Sequence, residues 1–315
     1  MNRALIFPGQ GSQAVGMGKA LADAFLAARE VFQEVDDALN QKLSALMWDG
    51  PESELVLTEN AQPAIMAASF ALIRILEREA GFSVSKHARL VAGHSLGEYT
   101  ALCAAGAFTL ADTARLLKAR GRAMQSAVPV GEGGMSALLG AEIEQAEELA
   151  AECAAASGEI CVVANDNAPG QVVISGTRAA IDKAPQIAKD KGIKRAMALN
   201  VSAPFHCPLM QPAADKMREA LAAVSIRPLA VPLVCNVTAE QTSEPQTIRR
   251  LLVEQVTGRV RWRETILAFR GRGVETTVEA GGAKVLTGMV KRTDKELQTV
   301  TLDTPADIEA FVKTL

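Results

Sequence analysis

Short apolar runs bounded by turn residues fall at 4–7, 90–92, 233–237, 276–279 and 299–302, with the length and composition of buried strands. Between them the period lengthens to that of a helix. Residues 63–79 put Ile65, Ser69, Leu72, Ile73 and Leu76 on one face. Residues 111–126 do the same with Ala114, Leu117, Gly121 and Met124, Leu110 lying just ahead and Arg120 flanking that face. Thr109-Leu110-Ala111-Asp112 resembles a capping box at the start of this helix. Further helices are predicted over 19–40, 98–105, 211–224, 246–256, 262–271 and 284–293, and a last one closes the chain. Strands alternating with helices predict a mostly parallel sheet covered on both faces.

The texture changes from Gly131. Strand 135–140, helix 142–156, strand 160–164, turn 165–170, strand 171–175, helix 177–191 and strand 194–199 follow in order. That is βαββαβ, two similar halves around a hairpin, the pattern of a ferredoxin-like unit. A βα series resumes afterwards, so the unit reads as an insertion. The expected organisation is a large α/β domain of residues 1–129 and 200–315, of α/β-hydrolase-like type. A ferredoxin-like subdomain of residues 130–199 is inserted into it.

Composition narrows the class. The net charge of −3 argues against a nucleic-acid binder, which would be clearly basic. Cysteines 103, 153, 161, 207 and 235 are scattered and odd in number, as reduced thiols of a cytosolic protein would be. The apolar run before Pro8 is too short for a signal peptide, and the longest uncharged run, 196–214, holds three prolines. A soluble cytoplasmic protein is expected.

Candidate chemistry centres on Gly93-His94-Ser95-Leu96-Gly97, a G-x-S-x-G between a strand and a helix. In that context the pattern is a nucleophile elbow, with Ser95 raised at a helix N-terminus that favours developing negative charge. Serine at neutral pH needs a base, and the chain offers three histidines. His87 lies in a polar lead-in and reads as solvated. His94 adjoins Ser95 on a tight turn, where neighbouring side chains point apart. His206, held between Pro204 and Pro208, is the base by elimination.

Five blocks now stand in order: Phe7-Pro8-Gly9-Gln10-Gly11-Ser12-Gln13, Gly93 to Tyr99, Arg120-Gly121 with Met124-Gln125, Phe205-His206-Cys207, and Gly281 to Leu286. Together they resemble the malonyl-CoA:acyl carrier protein transacylases and the wider acyltransferase family of fatty acid and polyketide synthesis. The resemblance implies Ser95 as the acylated nucleophile, His206 as its base, and the backbone amides of Gln10 and Leu96 as the oxyanion hole. It implies Arg120 as the cation for the malonyl carboxylate, a bidentate task suited to guanidinium. Phe205 would limit room for an α-methyl group, and Gln62 would line the pocket. Arg261 stands where many bacterial members have glutamine, at the residue whose main-chain carbonyl orients the histidine.

The implied substrates are malonyl-CoA and a phosphopantetheinylated acyl carrier protein, with no bound cofactor or metal and a monomeric enzyme. Residues 246–295 hold eleven Lys/Arg against five Asp/Glu, a basic surface for an acidic carrier. Two other readings compete. A serine thioesterase or other α/β-hydrolase orders its triad Ser, acid, His with a late histidine, whereas more than a hundred residues follow His206 and no acid stands out as third member. A non-catalytic scaffold for carrier proteins would have no use for Ser95 and His206.

Overall fold

The computed structural model describes residues 2–315. Its first strand, Arg3–Phe7 (β1), turns Leu5 and Phe7 to one apolar core and Ala4 and Ile6 to another. This two-residue alternation, with both faces apolar, marks a strand buried on both sides. Leu90–Gly93 (β2) pairs parallel with β1 and repeats the pattern, Val91 facing the first core and Leu90 and Ala92 the second.

Six further strands fall between β2 and the last two: Gly133–Leu139 (β3), Cys161–Ala168 (β4), Gln171–Thr177 (β5), Arg195–Ala198 (β6), Leu233–Val234 (β7) and Gln241–Thr242 (β8). Thr276–Ala280 (β9) and Gln298–Leu302 (β10) complete the set. One sheet has the order β10-β9-β1-β2-β7-β8, parallel except for β8. Helices Leu26–Leu39, Thr58–Ala80, Leu110–Ala127 and Gln211–Ala222 bury one face of it. Trp262–Gly271 and Val285–Thr293 bury the other. The loops after β1, β2, β7 and β9 gather at its carboxyl edge, where open α/β sheets bind ligands.

The second sheet, β4-β5-β3-β6, is antiparallel throughout, with helices Ile143–Ser157 and Ala184–Asp190 sharing its core. In chain order that is the ferredoxin-like arrangement expected for this stretch. It is stitched to the first unit through Asp166, whose N–H donates to the Val260 carbonyl and whose buried carboxylate pairs with Arg263 at 2.9 Å.

Local expectations needed correction where packing overrides period. The helix expected over 19–40 breaks at Phe25, which is extended (φ −128°, ψ 128°) and lets Leu21 and Val31 enter the same core. Helix 177–191 breaks at Asp182-Lys183, because Pro185 lacks an N–H and starts a new helix. Turn 165–170 shrinks to Pro169-Gly170, since Asn165 to Ala168 continue β4. Strand 233–237 ends at Val234. Among the described residues no helix is long and apolar enough to cross a membrane.

Candidate active site

The β2 strand delivers Ser95 at a turn that only glycine flanks permit. A Cβ on Gly93 would run into the Gly97 carbonyl, and one on Gly97 into the Phe7 carbonyl. Ser95 itself takes φ 52°, a left-handed angle rare outside glycine. Asn236, just beyond β7, holds the turn in place: its Oδ1 accepts from the Ser95 N–H at 2.7 Å and its Nδ2 donates to the Gly93 carbonyl at 2.6 Å.

His206 reaches the nucleophile from the segment after β6. It too is left-handed, at φ 57°. Its Nε2 lies 2.8 Å from Ser95 Oγ, while Nδ1 faces the main-chain carbonyls of Gln255 at 2.8 Å and Gly258 at 3.2 Å. Two carbonyls at Nδ1 place the proton there and leave Nε2 as the acceptor. Burial first, and the nearby Arg120 charge second, hold His206 down at about 3, so the imidazole is neutral.

The Arg261 expectation is overturned. The Arg261 carbonyl accepts from the Thr265 hydroxyl in the first turn of Trp262–Gly271, and its guanidinium pairs with Glu264 at 2.8 Å. The orienting glutamine is present after all, as Gln255. Its signal was readable, because Ile248, Leu251, Leu252 and Gln255 fall at helical spacing on one buried face.

Arg120 does not merely flank its helix face; it is 1% exposed. Its hydrogen-bond acceptors are all neutral: Gln62 Oε1 at 2.8 Å, Gln255 Oε1 at 2.9 Å and Ser95 Oγ at 3.1 Å. Burial presses its pKa down, but a guanidinium stays charged in a protein. Among the described residues no carboxylate lies within ion-pair distance of it, and the buried Glu98 acts on it only through charge at longer range. From Gln62 a directed chain continues, Nε2 to Thr58 Oγ1 at 2.9 Å and that hydroxyl to Gln10 Oε1 at 2.9 Å.

Gln62 therefore meets the site as a partner of Arg120. The amides of Gln10 and Leu96 flank the elbow without a protein acceptor among the described residues. Phe205 is buried in the main apolar core, next in sequence to His206. His94 lies behind the elbow, edge-on to Trp262 and 2.7 Å from Asn167 Oδ1. His87 is half-buried and stacked on Phe82, not solvated. Sequence reasoning missed Thr58, Glu98, Asn236 and Gln255, all buried polar side chains.

The basic stretch 246–295 is largely paired. Arg250, Arg259, Arg261, Arg263, Arg270 and Arg272 each meet a carboxylate within ion-pair distance. Lys284 stays exposed on the loop after β9, beside Pro8 through Gly282.

A serine on an elbow, with a neutral histidine and a buried guanidinium both on its hydroxyl, suits covalent transfer of an acyl group that carries its own negative charge. Comparison with known proteins gives the same class. Residues 4–307 match the acyl transferase domain family, and the chain belongs to it. Over 312 residues it is 43% identical to the malonyl CoA-acyl carrier protein transacylase of Bacillus subtilis strain 168, covering 99% of this chain and 96% of that one. The Escherichia coli K12 protein of the same name is 42% identical, with 98% of each covered. Among solved structures, the acyl-carrier-protein-S-malonyltransferase of Bartonella henselae superposes with TM-score 0.96 at 53% identity, over 100% of this chain and 99% of that one. A malonyl-transacylase in complex with a type II PKS acyl-carrier protein superposes with TM-score 0.95 at 39% identity, over 100% of both.

Proposed function

We propose that this acyltransferase moves the malonyl group of malonyl-CoA to the phosphopantetheine thiol of an acyl carrier protein, through a malonyl ester on Ser95, and so supplies fatty acid synthesis. The observation that carries the reading is the meeting of His206 Nε2 and Arg120 Nη2 on the one Ser95 hydroxyl.

His206 takes the Ser95 proton as Oγ attacks the thioester carbonyl, and the Gln10 and Leu96 amides receive the oxyanion. The C–S bond breaks, and the sulfur leaves as the thiol with the proton from His206. In the second half the carrier thiol gives its proton to His206, attacks the serine ester, and Ser95 leaves with that proton. Arg120 holds the free carboxylate throughout, steadied by Gln62, while Phe205 restricts the space beside the α-carbon. The incoming carboxylate also offsets the Arg120 charge, the second cause of the low His206 pKa. The base therefore strengthens when an anionic acyl group binds.

Residues 130–199 serve as an inserted subdomain that completes the cleft over the larger unit, and the enzyme works as a cytoplasmic monomer. The carrier docks on the basic C-terminal third, with Lys284 at the rim. Mass spectrometry after mixing with malonyl-CoA tests the reading: a malonyl adduct on Ser95 is expected. Release of free malonate without carrier and without an adduct would overturn it in favour of hydrolysis.

A further inference from the structure

Glu98 is fully buried in the helix Gly97–Ala104, three residues past the nucleophile, and the proposed chemistry gives it no task. Its hydrogen-bond partners are neutral: Gln255 Nε2 at 2.6 Å, the Asn236 N–H at 3.4 Å and the Cys235 thiol. The Arg120 charge acts on it only from beyond hydrogen-bond reach, so burying the carboxyl is costly, and a leucine or glutamine would suit the helix as well.

What Glu98 contacts is the amide that ties the site together. Gln255 Nε2 donates to Glu98 Oε2 and, at 2.9 Å, to the Ser95 carbonyl, while Gln255 Oε1 accepts from Arg120 Nη2 at 2.9 Å. An amide has one oxygen and one nitrogen, so its orientation decides which end faces the guanidinium. Turned over, it would set oxygen against the Glu98 carboxylate and the Ser95 carbonyl, and N–H against Arg120, three repulsive contacts in place of three bonds. The Ser95 carbonyl and the Glu98 carboxylate both only accept, and the carboxylate, charged and closer, contributes the larger share to the observed orientation; a side chain at 98 able to donate or accept would not.

We propose that Glu98 is a positioning residue for acyl-group selection: it fixes the Gln255 amide with Oε1 toward Arg120 and so keeps the guanidinium presented beside Ser95. The proposal rests on Arg120 being the carboxylate-binding cation. It does not involve the reacting atoms, which malonyl and acetyl thioesters share. Loss of Glu98 control should therefore damage malonyl transfer more than acetyl transfer. A purely structural role, such as a favourable charge in the first helical turn, would lower both alike.

The test is kcat/KM for malonyl-CoA and acetyl-CoA at pH 8, above the value of about 7 to which burial lifts Glu98. The proteins are wild type, Glu98→Gln, Gln255→Met, their double variant and Arg120→Ala. Gln255→Met removes the amide and leaves the main-chain carbonyl on His206. The malonyl:acetyl ratio should fall about tenfold in each single variant, the order expected for one hydrogen bond to a charged group. The double variant should fall no further, since both changes break the same relay. Equal losses for the two thioesters in Glu98→Gln, an unchanged ratio, or a double variant showing the product of the single effects would overturn the proposal. If Glu98→Gln does not fold, Gln255→Met decides alone, and an unchanged ratio there overturns it. An unchanged ratio in Arg120→Ala would remove the Arg120 reading and this proposal together. A changed ratio there with an unchanged one in Glu98→Gln removes this proposal only.

Discussion

Ser95 and His206 meet at 2.8 Å, and both do so from left-handed backbone, φ 52° and φ 57°. For residues with a Cβ that conformation costs on the order of 1 kcal/mol or more each, so the surrounding structure holds both halves of the dyad in place against local preference. At Ser95 the hold is visible as the Asn236 clamp.

Removing either half should end most of the activity, because nucleophile and base act as a unit. Ser95→Ala should give no malonyl adduct, and His206→Ala should acylate at least about 10³-fold more slowly. Backbone strain adds a stability result: Ser95→Gly, equally inactive, should unfold at higher denaturant than Ser95→Ala by about 1 kcal/mol. Near wild-type acylation by His206→Ala would remove the histidine from the mechanism, and equal midpoints for the two Ser95 variants would remove the strain argument.

The dyad also has a pH signature. The folded His206 pKa of about 3 lies below its unfolded value near 6.5, so between these the unfolded chain binds the extra proton. The stability of the neutral histidine is present above pH 6.5 and is lost as pH falls toward 3. Glu98 has the opposite sign, raised by burial to about 7 from 4.5, so its contribution is lost as pH rises through that window. Urea titrations should show Glu98→Gln gaining on wild type by up to about 3 kcal/mol between pH 4.5 and 7.5. His206→Gln should gain on it as pH falls from 6.5 to 4. Parallel stability curves for all three proteins would contradict both shifts.

How much of this could be read from the chain follows from how each part is determined. Ser95, His206 and Arg120 sit in short motifs, whose local chemistry is written in consecutive residues. Thr58, Asn236 and Gln255 act through partners far away in sequence, such as the 160-residue separation between Gln255 and the Ser95 carbonyl. Gln255 still left a trace as a polar residue in an apolar stripe. Arg261 drew attention instead, though its carbonyl is occupied by the helix that it caps. Most strands of both sheets were legible because burial on one or two faces imposes a period, whereas β8 is too short and too little buried to show one. The break at Phe25 was not, because one extended residue is chosen by the core that two helices share and not by their own pattern.

Carrier docking should depend on few of the basic residues that sequence counting suggests. Arg250 is paired with Glu254 at 2.7 Å and Arg249 donates to the Val224 carbonyl, whereas Lys284 is exposed on the loop after β9. Reversing charge at Arg249, Arg250 and Lys284 together should slow transfer to the carrier and spare acylation by malonyl-CoA, with Lys284→Glu alone giving most of the effect. Steering of this kind acts on the encounter rate and fades with salt. Stopped-flow transfer rates at low ionic strength decide it: an unchanged rate in the triple variant would leave the patch irrelevant.

Selection of the acyl group should reside in Arg120. Ser95 and the oxyanion amides meet only the thioester, so discrimination has to come from the distal carboxylate. Burying that charge unpaired would cost several kcal/mol, and a guanidinium only 1% exposed offsets the cost. Arg120→Ala should therefore lower kcat/KM for malonyl-CoA by about 2–4 kcal/mol, as for loss of one partner of a buried charge pair. With acetyl-CoA the guanidinium is not stranded, since Gln62, Gln255 and Ser95 already accept from it. Removing it should leave acetyl transfer nearly unchanged. Arg120→Lys should recover part of the malonyl rate, because an ammonium cannot grip a carboxylate in two places or hold both glutamines at once. Relief of the Arg120 charge should also raise the His206 pKa, moving the acid limb of acetyl transfer in Arg120→Ala to higher pH than in wild type. Equal losses for both thioesters, with no movement of that limb, would mean that Arg120 supports the fold and not the choice of substrate.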